Sequence, residues 1–351
     1  MLKSFSFIFK SILIGIVVSA VILLLVPDLR KGNSFSFDML RQKKITQEKL
    51  SFNHAVNAAG PAVVNIYSQS IDNTVSFNRR QPVERISLGS GVIMTASGYI
   101  LTCLHVIENA NSILVGLQDG RRVEAQIVGK DPITDLAVLS VSTDNLHVIP
   151  QDFDSEPRVG DVVLAIGNPY NLGQTITQGI VSRFSQNTLQ TYFDYIQTDA
   201  VLNEGNSGGA LVDSNGLLVG INNANFKTLD SRRRIKEVDG VSFAIPYGLA
   251  KKVMDEIIAT GKVTRGAVGF GGVQSPITEG ILVTELVQAG PAEIGGLQVN
   301  DMVVAVDGIP ADDMRKTLQY ITDTPPCKKI ELEVNRNNRL LKIEVVVAEL
   351  K

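Results

Sequence analysis

The stretch Gly205-Asn206-Ser207-Gly208-Gly209 decides the reading of this chain. A serine framed by glycines in this way has the form of a nucleophile loop. Its hydroxyl is a poor nucleophile until a neighbouring base takes the proton, so the loop requires a histidine and an acid elsewhere. The chain has three histidines, His54, His105 and His147, and all precede Ser207. The spacing G-x-S-x-G also occurs at the nucleophile elbow of α/β-hydrolases, where the histidine follows the serine. None follows here, so the elbow reading fails.

Of the three, His105 has the setting of a base. It follows Gly98-Tyr99-Ile100-Leu101-Thr102-Cys103-Leu104, a turn glycine and then a β-strand running into a loop. His54 falls in a short helix that Ser51 is expected to cap, and His147 in a polar connection before Pro150. The acid should lie between His105 and Ser207, where it can hold one imidazole tautomer. Asp135 opens the apolar run Leu136-Ala137-Val138-Leu139, and a carboxylate there is expensive to bury without a partner. Asp131, beside Pro132, reads as a turn residue, and Asp199, eight positions before Ser207, as an organiser of the nucleophile loop. The choice is therefore His105, Asp135 and Ser207 as catalytic residues, in the chain order of chymotrypsin-like double barrels. The backbone N–H groups of Gly205 and Ser207 are the candidate oxyanion hole, a geometry that side chains obstruct and glycine permits.

The rest of the chain agrees with a mainly β fold. Short apolar runs punctuated by Gly, Asn and Asp recur at 62–67, 91–94, 113–117, 123–128, 136–141 and 162–166, then at 178–184, 209–212, 217–224 and 242–245. One segment, 248–260, has helical spacing, with Leu249, Val253, Met254, Ile257 and Ile258 on one face and Gly261 ending it. Trp is absent and aromatics are 6%, so the core is aliphatic. From about Thr264 the character changes to glycine-rich turns and further strands.

Residues 5–26 are apolar apart from Ser6, Lys10, Ser11 and Ser19, which reaches the ~20 residues needed to span a bilayer. The run continues past Val18-Ser19-Ala20 with no small-x-small site after it, so it reads as an uncleaved anchor. Lys3 and Lys10 precede the segment while Arg30, Lys31, Arg41, Lys43 and Lys44 follow it, so charge alone does not orient it. The stretch 27–49 reads as a polar tether. A net charge of -3 gives no reason to expect nucleic acid. Two cysteines, Cys103 and Cys327, fall in different parts of the chain, which argues against a disulfide framework. No Cys/His or carboxylate cluster has metal-ligand spacing, so neither a metal nor a cofactor is expected.

With these residues in place, the chain resembles the HtrA family of PDZ-containing serine proteases. The resemblance runs through Gly89-Ser90-Gly91-Val92-Ile93, Thr102-Cys103-Leu104-His105-Val106, Thr134-Asp135-Leu136-Ala137-Val138-Leu139, Gly167-Asn168-Pro169, Gln197-Thr198-Asp199-Ala200, Gly205-Asn206-Ser207-Gly208-Gly209 and Gly240-Val241-Ser242-Phe243-Ala244-Ile245-Pro246. The family usually carries asparagine where Cys103 stands. The segment with Val268-Gly269-Phe270, Gly290-Pro291-Ala292 and Asn300-Asp301 resembles a PDZ domain. There a peptide adds as a strand, and Val268, Gly269 and Phe270 would form the loop that receives its C-terminal carboxylate. The organisation implied is an anchor over 1–26, a tether over 27–50, a trypsin-like protease domain over 51–262 and one PDZ domain over 263–351.

A single PDZ-like segment and a short insertion between Tyr67 and Gly89 point to the membrane-anchored, envelope-stress branch of the family. That branch implies a homotrimer in a bacterial inner membrane with its catalytic domain in the periplasm. It also implies gating by the C-terminus of a misfolded outer-membrane protein, and cleavage of a membrane-bound anti-sigma factor. A sensing loop is expected over about 181–195, with Arg183 its only basic residue. Two rivals remain open at this point: a housekeeping protease of unfolded periplasmic proteins, and a peptide-binding sensor without proteolysis.

Overall fold

Alternation of apolar residues with period two, repeated along short strands, produces two closed sheets in this protein. The structure is a computed structural model and describes residues 2–25, 51–72, 83–169, 173–185, 193–229, 235–275 and 279–350. The expected tether over 27–49 and the middle of the expected sensing loop, 186–192, lie outside them. The chain divides into a unit of residues 1–51 and a unit of residues 52–351. The first unit contains helix α1, Leu2–Leu25, whose stretch Phe5–Leu25 is long and apolar enough to cross a membrane.

In the second unit, helix α2 (Asn53–Ala59) precedes strands β1 (Val63–Asp72), β2 (Val83–Ile93) and β3 (Tyr99–Cys103). Helix α3 (Leu104–Ile107) and strands β4 (Ser112–Gly116), β5 (Arg122–Asp131) and β6 (Leu136–Val141) follow. These six strands close in the order β1-β2-β3-β6-β5-β4. The second barrel uses β7 (Val162–Gly167), β8 (Thr175–Ser185), β9 (Tyr195–Thr198), β10 (Ala210–Asp213), β11 (Leu218–Leu229) and β12 (Ile235–Pro246), closed as β10-β11-β12-β9-β8-β7. Closure removes the open sheet edges that a flat arrangement would leave.

The alternation is visible in where side chains go. On β7, Val163 and Ala165 join the cluster inside the second barrel, with Val181, Ile196, Leu211 and Val219. Their neighbours Leu164 and Ile166 join the large cluster shared with the first barrel. Helix α4, Tyr247–Thr260, buries Ala250, Val253, Met254 and Ile257 in that same cluster. It ends at Gly261 in the left-handed conformation (φ 80°), as the helical spacing and that glycine lead one to expect.

Three local expectations need correction. The residue before α2 is Phe52, without a side-chain cap, so Ser51 is not the N-cap. Residues 181–185, expected to open a loop, complete β8, because Arg183 pairs with Gln197 and Phe184 with Ile196. Tyr195–Thr198 is likewise a barrel strand.

The remaining residues build a small sheet. Strand β13 (Gly266–Ala267) comes first, then β14 (Phe270–Gln274), β15 (Ile281–Leu286), helix α5 (Pro291–Ile294), β16 (Met302–Val306) and β17 (Ile309–Pro310). Helix α6 (Met314–Asp323) precedes β18 (Lys329–Arg336), β19 (Arg339–Val346) and β20 (Ala348–Glu349). The main sheet runs β14-β15-β16-β18-β19, which leaves β14 at an edge. Its core holds Val268, Ile281, Val283, Val303, Ile330, Leu332 and Val345. Asp313 caps α6 by accepting from the Arg315 and Lys316 N–H groups.

Candidate active site

Strand β3 delivers the histidine. Cys103 ends the strand, and the chain turns into α3 with His105 as its second residue. Asp135 sits immediately before β6, which pairs with β3 in register Cys103↔Leu136. Its backbone is left-handed (φ 55°), a conformation that aspartate tolerates better than most residues. That turn aims the carboxylate at the histidine. Oδ1 accepts from the His105 backbone N–H at 3.0 Å, and Oδ2 lies 2.5 Å from the His105 Nδ1. The Asp135 carbonyl accepts from the Leu104 N–H at 2.8 Å. A third donor, Asn223 Nδ2, reaches Asp135 Oδ2 at 2.9 Å. A carboxylate that accepts this many hydrogen bonds is held in one orientation, and so is the ring beside it.

Ser207 comes from the second barrel, in the connection between β9 and β10. Gly205 (φ 99°) and Gly208 (φ 82°) both take left-handed conformations. A Cβ on Gly208 would stand 2.2 Å from the Ser90 carbonyl oxygen and 2.4 Å from Thr102 Oγ1, so only glycine fits. The loop is stitched to both barrels. Ser90 N–H donates to the Ser207 carbonyl at 2.9 Å, and Gly208 N–H to the Asn222 carbonyl at 2.7 Å. Ser90 Oγ donates to the Gly205 carbonyl at 2.7 Å and accepts from the Asn168 N–H at 3.0 Å.

The serine hydroxyl itself donates to the Asn223 carbonyl at 2.6 Å. Among the described residues no hydrogen bond joins it to His105. Such contacts are often loose without substrate.

Cys103 lies beside the pair but is no second nucleophile. Its thiol is fully buried, and burial, reinforced by the charge of Asp135, pushes it well above the usual thiol range. Sγ donates to the Asn222 carbonyl at 3.3 Å. Burial likewise pushes the Tyr195 phenol up to about 12, with Asp135 adding to the effect, so it stays protonated near the site.

The two rejected acids have other work. Asp199 Oδ1 accepts from the Ile180 N–H at 2.7 Å, which ties the start of the β9–β10 connection, the one that carries Ser207, to β8. Asp131 is more than a turn residue. Its carboxylate is buried and accepts from Arg265 Nη1 and Nη2 at 2.6 and 2.7 Å, linking the first barrel to the residue just before β13. His54 and His147 stand apart from the site.

Sequence reasoning did not single out Asn223 or the role of Ser90. Ser90 falls within the quoted Gly89-Ser90-Gly91, whereas the pair Asn222-Asn223 carries no motif at all.

The glycine loop before β14 borders a second candidate site. Gly269 is left-handed (φ 79°) between buried Val268 and half-buried Phe270. A groove of about 500 Å³ runs between β14 and α6, lined by Val268, Phe270, Leu286, Met314, Leu318 and Ile321 among others. An open strand edge beside an apolar helix face is the geometry for adding a peptide strand.

Two closed barrels that share a His–Asp pair and a glycine-framed serine, followed by such a sheet, define a trypsin-like serine protease carrying a PDZ domain. Residues 89–221 match the trypsin-like peptidase domain family and residues 262–347 the PDZ domain family. The chain is 43% identical over 355 residues to the serine endoprotease DegS of Salmonella typhimurium, covering 97% of each. It belongs to the HtrA family of serine proteases, and is an endoprotease of the DegS type. Two solved structures agree. The serine endoprotease from Yersinia pestis is 42% identical with a TM-score of 0.69, covering 86% of this chain and 98% of that one. The HtrA-type protease AlgW with a decapeptide is 40% identical with a TM-score of 0.75, covering 86% and 99%.

Proposed function

We propose that this protein is a membrane-anchored, peptide-gated endopeptidase in which His105, Asp135 and Ser207 form the catalytic triad. The observation that carries the reading is the His105 Nδ1 to Asp135 Oδ2 contact of 2.5 Å, fixed by a further bond from Asn223. With Nδ1–H donated to the carboxylate, Nε2 is left with a lone pair for the Ser207 proton. Ser207 then attacks a peptide carbonyl, Asp135 stabilises the imidazolium, and water releases the acyl-enzyme. The N–H groups of Gly205 and Ser207 hold the developing oxyanion.

Val268, Gly269 and Phe270 receive the C-terminal carboxylate of a peptide, whose side chains enter the groove against α6. The resting bond from Ser207 to the Asn223 carbonyl supports a low basal state, since the nucleophile must be re-aimed before it reacts. Peptide binding can shift that balance only by interacting differently with the two states. The ligand is the C-terminus of a misfolded outer-membrane protein, and the substrate a membrane-bound anti-sigma factor. The protein works as a homotrimer on a bacterial inner membrane, anchored by residues 1–26 through the tether 27–50. Its protease domain (51–262) and PDZ domain (263–351) lie in the periplasm.

The test is fluorophosphonate labelling of the full chain in detergent, with and without a hydrophobic C-terminal peptide. Labelling that rises with peptide and vanishes in Ser207→Ala is the expected result. Equal labelling in both states discards the gate. No labelling in either leaves a peptide-binding sensor. A digest with many cuts in unfolded proteins would instead indicate a housekeeping protease.

A further inference from the structure

Three metal-binding side chains, two of them close in sequence and the third thirty positions on, meet at the back of the candidate triad. Cys103 Sγ, a ring nitrogen of His105 and a carboxylate oxygen of Asp135 all lie within 4.8 Å of one another. Thirty positions separate His105 from Asp135, so no ligand spacing could reveal the cluster; the pairing of β3 with β6 creates it.

We propose that Cys103, His105 and Asp135 form an inhibitory site for Zn²⁺ or a similar thiophilic divalent cation. One sulfur, one nitrogen and one oxygen, with water in the fourth position, is a donor set that zinc accepts. Ideal zinc distances place such donors about 3–4 Å apart, so the Nδ1–Oδ2 pair, now at 2.5 Å, must part slightly while the remaining donors draw in from within 4.8 Å. A hard cation such as Mg²⁺ gains little from sulfur and is not selected. The ion has a way in, because the His105 side chain is 44% and the Asp135 side chain 28% exposed. Behind them, Asn223 Nδ2 donates to Asp135 Oδ2 at 2.9 Å and stands 3.7 Å from Cys103 Sγ. That amide must turn aside as the metal enters.

Binding replaces protons and involves no redox change. The thiol releases its proton to solvent and binds as thiolate. The Nδ1 lone pair goes to the metal, and the ring proton moves to Nε2 by way of solvent. An imidazole protonated on Nε2 cannot accept the Ser207 proton, so the metal holds the wrong tautomer for catalysis. Inhibition therefore rests on the triad reading, whereas metal binding does not.

The test uses the full chain in detergent, stripped with EDTA and carrying Cys327→Ser to remove the exposed thiol. Zn²⁺ is titrated against the fluorophosphonate labelling rate in that protein and in added Cys103→Ser and Cys103→Asn variants, each relative to its own metal-free rate. Co²⁺ is followed separately by its thiolate charge-transfer absorption. Zn²⁺ should slow labelling where Cys103 is present, and both variants should need at least about tenfold more of it. Mg²⁺ should do nothing. The cobalt band should appear only with Cys103 and weaken in His105→Ala, which keeps the thiol. Equal Zn²⁺ sensitivity in all three proteins, or a missing cobalt band, overturns the site. A cobalt band with unslowed labelling overturns the inhibition. Absence of labelling without metal defeats the triad reading, while the cobalt band still reports on the site.

Discussion

Two glycine loops in this protein are proposed to offer backbone N–H groups, and they are built to different tolerances. The loop at Gly205 to Gly209 and the loop at Val268 to Phe270 both contain left-handed glycine. Around Gly208 there is no space at all: a Cβ would meet the Ser90 carbonyl oxygen at 2.2 Å and the Cys103 nitrogen at 3.0 Å. Around Gly269 the nearest atoms to a Cβ are side-chain carbons of Val287 at 3.2 and 3.5 Å. The first loop is also bonded from both barrels by Ser90, Asn222 and Asn223, while the second is held mainly by Val287 and Ala292. Reaction demands groups fixed to a fraction of an ångström, and a binding loop can adjust around its ligand.

Arg265 and Asp131 link the first barrel to the strand that leads into the second loop, and this contact gives the largest expected effect. Asp131 lies four residues before Asp135, and Arg265 directly precedes β13, which leads into the peptide loop. Both side chains are largely buried, at 12% and 2% exposure. Arg265→Ala should cost about 3–5 kcal/mol of stability, because it strands a buried carboxylate. Adding Asp131→Leu should recover much of that loss, since replacing both members of a buried pair is often neutral. Thermal unfolding of the unmodified protein and the two variants checks this. If the double variant is as unstable as the single one, the pair does more than compensate its own burial.

The second prediction breaks the tight loop itself. Gly208→Ala should reduce fluorophosphonate labelling at least about 10²-fold, as the backbone shifts to relieve the clash with Ser90. The peptide affinity of the distant groove, read by fluorescence anisotropy, should change far less. A comparable loss at both sites would mean that the variant has unfolded and that the contrast in tolerance is not being measured.

How much of this was legible in the sequence depends on the range of the interaction. The fold class followed from chain order together with the recurrence of short apolar runs, because no histidine follows Ser207 and Gly, Asn and Asp punctuate the runs. Leu136–Val141 appeared with its observed bounds, since Asp135 and the buried run after it mark both the turn and the strand. Strands β1, β8 and β11 run past their apolar cores into polar residues, where cross-strand pairing rather than hydrophobicity sets the length. Asn223 was invisible, because an asparagine in a strand has no local signature for a carboxylate 88 positions away. Asp131 was read as a turn residue, which it is, but its ion pair was invisible for the same reason. Its turn is local, but the guanidinium that buries it arrives 134 residues later.

The smallest effect should come from the permissive loop. Gly269→Ala adds one methyl at φ 79°, and holding an alanine in that region costs roughly 1–2 kcal/mol. The loop can relieve part of this by yielding a few tenths of an ångström against Val287, a side chain that is itself exposed. The N–H groups that receive the peptide carboxylate move with it, so peptide affinity should fall about tenfold, equivalent to 1.4 kcal/mol. At saturating peptide, labelling of Ser207 should return to the wild-type level, because the substitution alters occupancy of the groove and not the geometry of the triad. Isothermal titration with a hydrophobic C-terminal peptide measures the first quantity, and labelling at the plateau the second. A plateau that stays low would show that the carboxylate loop shapes the activated state as well as filling it. The two glycine loops would then be coupled parts of one device, and their difference in packing would mark which of them moves.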